Sequence, residues 1–139
     1  VQTCALPIFE HVHDLSGYMN SFTKLLKKNG RLIIAVPNHT CFDAQFYKHF
    51  WAAYDVPRHL YHFSPTSMET LCSIYEMRVL QCKPMWYDSF YVSLLSEKYK
   101  QTKYIGVLRA FCIGLISNLF AIRNNKKASS IIYEIKLKN

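Results

Sequence analysis

The sequence predicts an α/β fold in which helices cover a largely parallel β-sheet. Over Asp14–Lys28, large apolar residues recur at intervals of three and four, which is typical of a helix with one buried face. Arg31–Val36 is apolar without polar alternation, which indicates a strand buried on both faces of a parallel sheet. Ser130–Leu137 alternates apolar and polar residues, which indicates a strand with one less buried face, antiparallel or peripheral in its sheet.

The first helix and strand carry clear boundary signals. Asp14 can accept hydrogen bonds from the free N–H groups of the first turn, and Lys27 and Lys28 suit the negative end of the helix dipole. Gly30 is expected to end the helix in the left-handed conformation. Pro37-Asn38 ends the strand, and ligands bind beyond such carboxyl ends in open α/β sheets.

The middle of the chain contains one aromatic segment, one loop and three further elements. His39–Tyr54 is predicted to be partly helical, and its aromatic stripe can serve as core or as a substrate platform. Ser64-Pro65 has the residues of a helix start, with serine as the cap and proline in the first turn. The predicted segments are a proline-broken loop over Asp55–Phe63, a helix from Ser64-Pro65, a strand over Arg78–Tyr87 and a helix from Asp88 or Ser89 through Tyr99.

Tyr104–Ile122 is long and apolar enough to span a bilayer, and three interpretations stay open. It can cross a membrane, although a central Arg109 is costly in lipid. It can lie in the membrane interface, with the basic residues after Ile122 at the headgroups. It can also pack within the protein.

Composition limits the class of protein. The chain has 139 residues, of which 50% are hydrophobic and 19% are charged, so a packed core is expected rather than disorder. The net charge of +8 is spread along the chain without a nucleic-acid-binding motif, and no nucleic-acid partner is predicted. The five cysteines are odd in number and far apart, which favours reduced thiols and a cytoplasmic setting.

Residues 1–8 are expected to be an artefact. Val-Gln-Thr-Cys-Ala-Leu-Pro-Ile is the translation of GTT-CAG-ACG-TGT-GCT-CTT-CCG-ATC, a common sequencing-adapter oligonucleotide. A natural leader that happens to read this way is the alternative. The remaining chain, 9–139, is expected to be one partial domain in which 88–128 is a helical insertion.

Three stretches resemble one protein family. Phe9–Asp14 and Leu26–Asn38 resemble passages after the fourth strand and around the fifth strand of class I S-adenosylmethionine-dependent methyltransferases, in their small-molecule branch. Asn29 stands where that family usually has its first glycine. Trp51 together with Tyr54–Ser64 resembles a longer signature of a bacterial subgroup. The resemblance spans Phe9 to the end and is that of a C-terminal half.

The resemblance implies a Rossmann-like methyltransferase sheet, of which the chain holds the fifth to seventh strands with a helical insertion. The last strand is expected to be antiparallel and to lie between the fifth and the sixth. The family's glycine-rich turn is missing, since the four glycines form no G-x-G-x-x-G. The implied parent is therefore a transferase that uses S-adenosylmethionine for methylation, and the fragment is predicted to be inactive as written.

Site residues follow from the same comparison. His11 is the candidate catalytic base, Glu10 and His11 are candidate cofactor contacts, and both can instead merely cap or hold the loop. Arg58 can bind substrate or form an internal ion pair with Asp55. No metal site is predicted, because the spacing of His59 and His62 lacks further ligands. The candidate substrate-binding residues are Asn38, Arg58, His59, Tyr61 and His62.

The expected acceptor is a small or lipid-like molecule. The alternative function is that of a non-enzymatic, membrane-associated basic module, which rests on Tyr104–Ile122 and the basic residues that follow it.

Overall fold

A computed structural model of the chain describes the backbone of residues 2–5 and the complete residues 8–138. The strands in these residues are β1 (Gln2–Ala5), β2 (Arg31–Pro37), β3 (Met77–Pro84) and β4 (Ser130–Leu137). They form one sheet in the spatial order β1-β2-β4-β3. β1 is parallel to β2, whereas β4 is antiparallel to both β2 and β3.

The position of β4 confirms the predicted order of the last three strands. β4 lies between β2 and β3 and pairs with both, from Leu32 opposite Ile135 to Met77 opposite Leu137. Four of the seven residues of β2 are buried, as the apolar run predicts: Leu32, Ile34, Ala35 and Val36. β3 ends at Pro84, three residues before the predicted end. β1 is one strand more than the three expected, because the open edge of β2 offers unpaired backbone groups to any extended segment.

The described residues form five α-helices, with 3₁₀ turns between some of them. The helices are α1 (Leu15–Leu25), α2 (Phe42–Tyr47), α3 (Pro65–Ile74), α4 (Asp88–Tyr99) and α5 (Tyr104–Arg123). Asp14 Oδ1 accepts from Gly17 N at 2.8 Å at the start of α1, and Ser64 forms a capping box with Ser67 at the start of α3. Both predicted caps are thus confirmed.

The predicted stop at Gly30 is wrong. α1 already ends at Leu25, and Leu26 is extended (φ −68°, ψ 123°) with its side chain buried in the main core. Gly30 follows in a turn, where its N–H donates to the Lys27 carbonyl at 2.7 Å. None of the glycines in the described residues has a positive φ. The burial of Leu26, rather than a glycine cap, therefore determines where the helix ends.

The core has two parts. The main cluster joins the sheet to α1 and α3 through residues such as Leu32, Met68 and Ile135. The second cluster contains Tyr47 and Trp51, both 2% exposed, packed with residues of α4 and α5. Most of the aromatic stripe over His39–Tyr54 therefore belongs to the core rather than to a substrate platform.

α5 packs along α4 through small residues and exposes its large apolar ones. Gly114 lies so close to Phe90 of α4 that an added Cβ would be 2.7 Å from its ring. Arg109 reaches back to the buried Glu97 of α4. The opposite face exposes Ile105, Leu108 and Ile122. An 18-residue window of this 20-residue helix has a mean hydropathy of 2.0, enough by length and composition to cross a membrane.

Candidate functional site

A cavity of about 420 Å³ lies at the carboxyl end of β2, where the sequence predicts a ligand site. Its walls include Glu10 and His11 from the 3₁₀ turn Phe9–His11, and Pro37 from the end of β2. Arg58 and His59 contribute from the loop 55–63. The volume falls within the range of small-molecule pockets, which is roughly 300–1,000 Å³.

Backbone hydrogen bonds fix the loop 55–63 against the 3₁₀ turn and the sheet. The Glu10 carbonyl accepts from Leu60 N at 2.8 Å and from Tyr61 N at 3.2 Å. At the other end of the loop, Phe63 forms a parallel bridge with Asn38 directly after β2. Segments that are 50 residues apart in sequence at Glu10 and Leu60, and 25 residues apart at Asn38 and Phe63, are thereby held together at one edge of the sheet.

His11 and His59 face each other with defined ring orientations. Their ring centroids are 4.6 Å apart, and the planes are nearly perpendicular at 76°. Nδ1 of His11 lies 2.9 Å from the Arg58 carbonyl oxygen, and Nδ1 of His59 lies 2.8 Å from the Ala53 carbonyl oxygen. Because a carbonyl oxygen only accepts, each Nδ1 must donate its proton, so Nε2 carries the lone pair in the neutral ring.

Glu10 brings a carboxylate into this pair. Its side chain is only 2% exposed, and Oε1 lies 3.9 Å from Nε2 of His59. Among the described residues, Oε2 has no hydrogen-bond partner. Asp55 Oδ2 lies 3.8 Å from the same His59 nitrogen. The site thus gathers two imidazoles and a buried carboxylate, with a second carboxylate beside them.

Arg58 is engaged by Asp55. Its Nη2 and Nε donate to Asp55 Oδ1 at 2.6 Å and 3.1 Å, and its side chain is 72% exposed. The internal ion pair, which the sequence left as an alternative, is therefore present in the structure. The guanidinium nevertheless lies at the mouth of the cavity and keeps free donors toward solvent.

The remaining predicted substrate residues do not line the cavity. Asn38 is 1% exposed, and its amide donates to the carbonyls of Lys126 at 3.0 Å and Ala128 at 2.9 Å. Tyr61 packs against the main core, and Nε2 of His62 lies 3.0 Å from the Tyr54 carbonyl oxygen. The structure thus brings together Glu10, His11, Arg58 and His59, and leaves these three elsewhere.

One wall of the cavity is not among the predicted site residues. It is a face of α4 with Asp88, Tyr91, Leu95 and Tyr99, at offsets of 3, 7 and 11 from the first residue. Those offsets define one helical face, so the signal exists in the sequence. In the sequence alone, however, such a face looks the same whether it lines a cavity or packs on the core.

The described residues do not form a cradle for a nucleotide-like cofactor. Such a cradle needs glycines whose backbone a ligand approaches closely. Here the space beside each glycine is filled by the protein itself, as at Gly17 by the Asp14 carboxylate and at Gly106 by Thr102. The described glycines therefore offer no close approach to a cofactor of this kind.

A family model described as "Methyltransferase domain" matches residues 4–81, which is more than half of the chain. The chain belongs to this methyltransferase domain family. The predicted relationship to methyltransferases is thus confirmed, and the order β2-β4-β3 agrees with the one that the resemblance implies for the fifth, seventh and sixth strands of the methyltransferase sheet.

One solved structure similar to this methyltransferase fragment is that of mycolic acid cyclopropane synthase CmaA1 complexed with SAH and CTAB. The two share 10% sequence identity with a TM-score of 0.48. The match covers 96% of this chain and 53% of the other, so the chain spans about half the length of that protein. No match is found among curated proteins.

Proposed function

We propose that this chain is the acceptor-binding half of an S-adenosylmethionine-dependent methyltransferase and that it is inactive alone. The observation that supports the proposal is the convergence of Glu10, His11 and His59 on a cavity at the carboxyl end of β2, in a chain of the methyltransferase domain family. The cofactor would be held chiefly by a half that is not in this sequence.

His11 is the proposed general base. Its Nδ1 is occupied by the Arg58 carbonyl, so Nε2 is free to take a proton from a nucleophile in the cavity. Glu10 and His11, which lie shortly after the stretch expected to be adapter sequence, are the proposed contacts to the cofactor. Arg58 and His59 are the proposed contacts to a polar group of the acceptor.

The proposed acceptor is a small or lipid-like molecule that accepts the methyl group on oxygen, nitrogen or carbon. The wall formed by α4 contributes Tyr91, Leu95 and Tyr99, which are apolar apart from the tyrosine hydroxyls. The same cavity is also lined by the polar groups of Glu10 and His59. An acceptor with an apolar body and one polar end matches this distribution.

The test is to restore the missing half. A protein in which the natural upstream sequence replaces residues 1–8 is expected to contain a glycine-rich strand–turn–helix, to bind S-adenosylmethionine in calorimetry and to form S-adenosylhomocysteine from mixed small-molecule acceptors. The 139-residue chain serves as the control and is expected to do neither. Upstream sequence without such a turn, or cofactor binding by the short chain with micromolar affinity, would contradict the proposal.

A second candidate function is peripheral membrane association of a cytoplasmic protein. It is favoured by the outer face of α5, where Ile105, Leu108 and Ile122 are each more than 60% exposed. Arg123 at the end of the helix and Lys127 after it suit anionic headgroups, whereas Lys126 Nζ is bound to Glu69 Oε1 at 2.6 Å.

Flotation distinguishes this candidate from the enzyme. The chain is expected to float with vesicles of phosphatidylcholine and phosphatidylserine, and less with phosphatidylcholine alone. A variant with Ile105→Lys and Leu108→Lys is expected to stay in the soluble fraction. Equal behaviour of both proteins on both vesicles would reject membrane association without affecting the enzymatic proposal.

A further inference from the structure

We propose that Glu10, His11 and His59 form a binding site for a divalent transition-metal ion. Each residue offers one ligand atom, and the three atoms all lie within 4.8 Å of one another. Ligands at about 2.1 Å around a tetrahedral ion are about 3.4 Å apart. A rotation of the side chains that shortens these distances by up to roughly 1.4 Å would therefore complete the geometry.

The surroundings of the two histidines are those of metal ligands. A coordinating imidazole generally donates its other N–H to a carbonyl or carboxylate, which fixes the ring and directs the lone pair to the metal. Both rings meet this condition, through the Arg58 carbonyl and the Ala53 carbonyl. The two Nε2 lone pairs are consequently the ones left for an ion. While an ion occupies the site, Nε2 of His11 is a ligand and cannot take a proton, so the base role proposed for His11 belongs to the metal-free site.

The charge of Glu10 supplies an independent reason. Its carboxylate is 2% exposed, and Oε2 has no hydrogen-bond partner among the residues that the structure describes. Burying an uncompensated carboxylate is costly unless a cation accompanies it. The nearby guanidinium of Arg58 is bound to Asp55 instead. His59, at 3.9 Å, is beyond hydrogen-bond distance.

The ligand set selects the class of ion. Two imidazoles and one carboxylate suit Zn²⁺, Fe²⁺, Co²⁺ and Mn²⁺, whereas Mg²⁺ and Ca²⁺ prefer oxygen ligands. Three protein ligands leave coordination positions open. All three residues line the cavity, so these positions face it. Resting on the proposed function, we infer that the acceptor carries an oxygen or nitrogen donor that binds there.

Cobalt provides a readout that does not depend on activity. The 139-residue chain, purified without a histidine tag, is titrated with Co²⁺ while its visible absorption is recorded, and Zn²⁺ is then added as a competitor. A saturable visible band at one Co²⁺ per chain, abolished by Zn²⁺, is expected. His11→Ala, His59→Ala and Glu10→Gln should each weaken binding by more than about 100-fold, since even partners of ligands contribute about 10–100-fold.

His13→Ala is the matched control, because His13 is exposed and only two residues from His11. It is expected to bind Co²⁺ within about twofold of the unaltered chain, by analogy with other exposed positions. Circular dichroism shows whether each variant is folded.

A second experiment needs no variant. The unaltered chain is carbethoxylated with and without Zn²⁺, and the modified histidines are identified by mass spectrometry. Zn²⁺ should protect His11 and His59 from modification but not His13.

Several results would overturn the site. They are the absence of a cobalt band, equal loss of binding in His13→Ala, and failure of Zn²⁺ to protect His11 and His59. Each would mean that Glu10 and His59 form only an ion pair. Cobalt binding requires neither cofactor nor acceptor, so the two proposals can fail separately. If the chain binds Co²⁺ but the extended protein makes no S-adenosylhomocysteine, the methyltransferase proposal is rejected and the metal site is retained.

Discussion

Replacing Arg109 with methionine is expected to destabilise the fold by leaving a buried charge without its partner. Arg109 Nε and Nη2 donate to the two carboxylate oxygens of Glu97 at 2.7 Å and 2.6 Å. Glu97 is only 3% exposed and also accepts from Thr102 Oγ1. Methionine fills a similar volume, so the lost interaction is mainly electrostatic.

The expected magnitude follows from the pKa of Glu97. The bond from Arg109 is the main reason why this pKa falls from an ordinary value of 4.5 to about 2. The difference corresponds to roughly 3 kcal/mol of stability at neutral pH. Because the Arg109 side chain is 36% exposed, solvent screening reduces the expected loss to about 2 kcal/mol. For a chain of this size, that lowers Tm by roughly 6 °C.

The pH dependence has a defined sign. The folded state lowers the pKa of Glu97, so the pair contributes its full stability above pH 4.5 and loses it as pH falls toward 2. The free-energy difference between the original chain and Arg109→Met should therefore shrink over this window. Urea unfolding at pH 7 and pH 3, followed by tryptophan fluorescence, measures this difference.

Arg123→Met, at the exposed end of the same helix, is the control and should change the free energy of unfolding by less than about 0.5 kcal/mol. An Arg109→Met loss below about 0.5 kcal/mol at pH 7, or one unchanged at pH 3, would refute the reasoning.

Three further outcomes are expected. Asp43→Ala should lower the free energy of urea unfolding by about 3 kcal/mol, because Asp43 is fully buried and accepts from Trp51, Ser117 and Ser129; a loss below 1 kcal/mol would contradict this. Ser64→Ala should lower Tm by an amount equivalent to about 1 kcal/mol through loss of the capping box of α3. Leu108→Lys alone should leave the urea midpoint unchanged while it raises the solubility limit, since Leu108 is 69% exposed on α5.

Periodicity and end signals predict the elements of this fold well. The apolar run of β2 and the alternation over β4 each correspond to a burial pattern in the sheet. The cap at Asp14 and the Ser64-Pro65 start depend only on neighbouring residues, so the sequence contains what determines them. Gly30 shows the limit of local signals, because the burial of Leu26 ends α1 before the glycine is reached.

The sequence identifies single residues of the candidate site but not how they come together. Their proximity depends on how the loop 55–63 folds back onto the turn Phe9–His11. His11 and His59 lie 48 positions apart, and nothing local indicates that the Glu10 carbonyl binds the backbone of Leu60 and Tyr61. Asn38 fails as a cavity residue for a related reason. Its position after β2 is as expected, but its amide is used by the carbonyls before β4.

The burial of the carboxylates of Asp43 and Glu97 also cannot be predicted from residue spacing. Asp43 accepts from residues 8, 74 and 86 positions away, and Glu97 pairs with an arginine twelve positions on. In sequence, Arg109 interrupts an apolar helix and argues against a membrane span. In the structure, the same residue is the partner that allows Glu97 to be buried between α4 and α5.

Most contacts that hold the candidate site lie outside residues 1–8. Strand pairing uses backbone groups, so β1 can join the open edge of β2 whatever its origin. The N–H of His11 does donate to the Ile8 carbonyl at 2.9 Å. The other contacts come from later residues, because Phe9 is 1% exposed and stacks on Phe63 at 5.4 Å, and the Glu10 carbonyl holds the loop that carries His59. The contacts between the turn Phe9–His11 and the loop 55–63 are therefore the ones that bring His11 and His59 together.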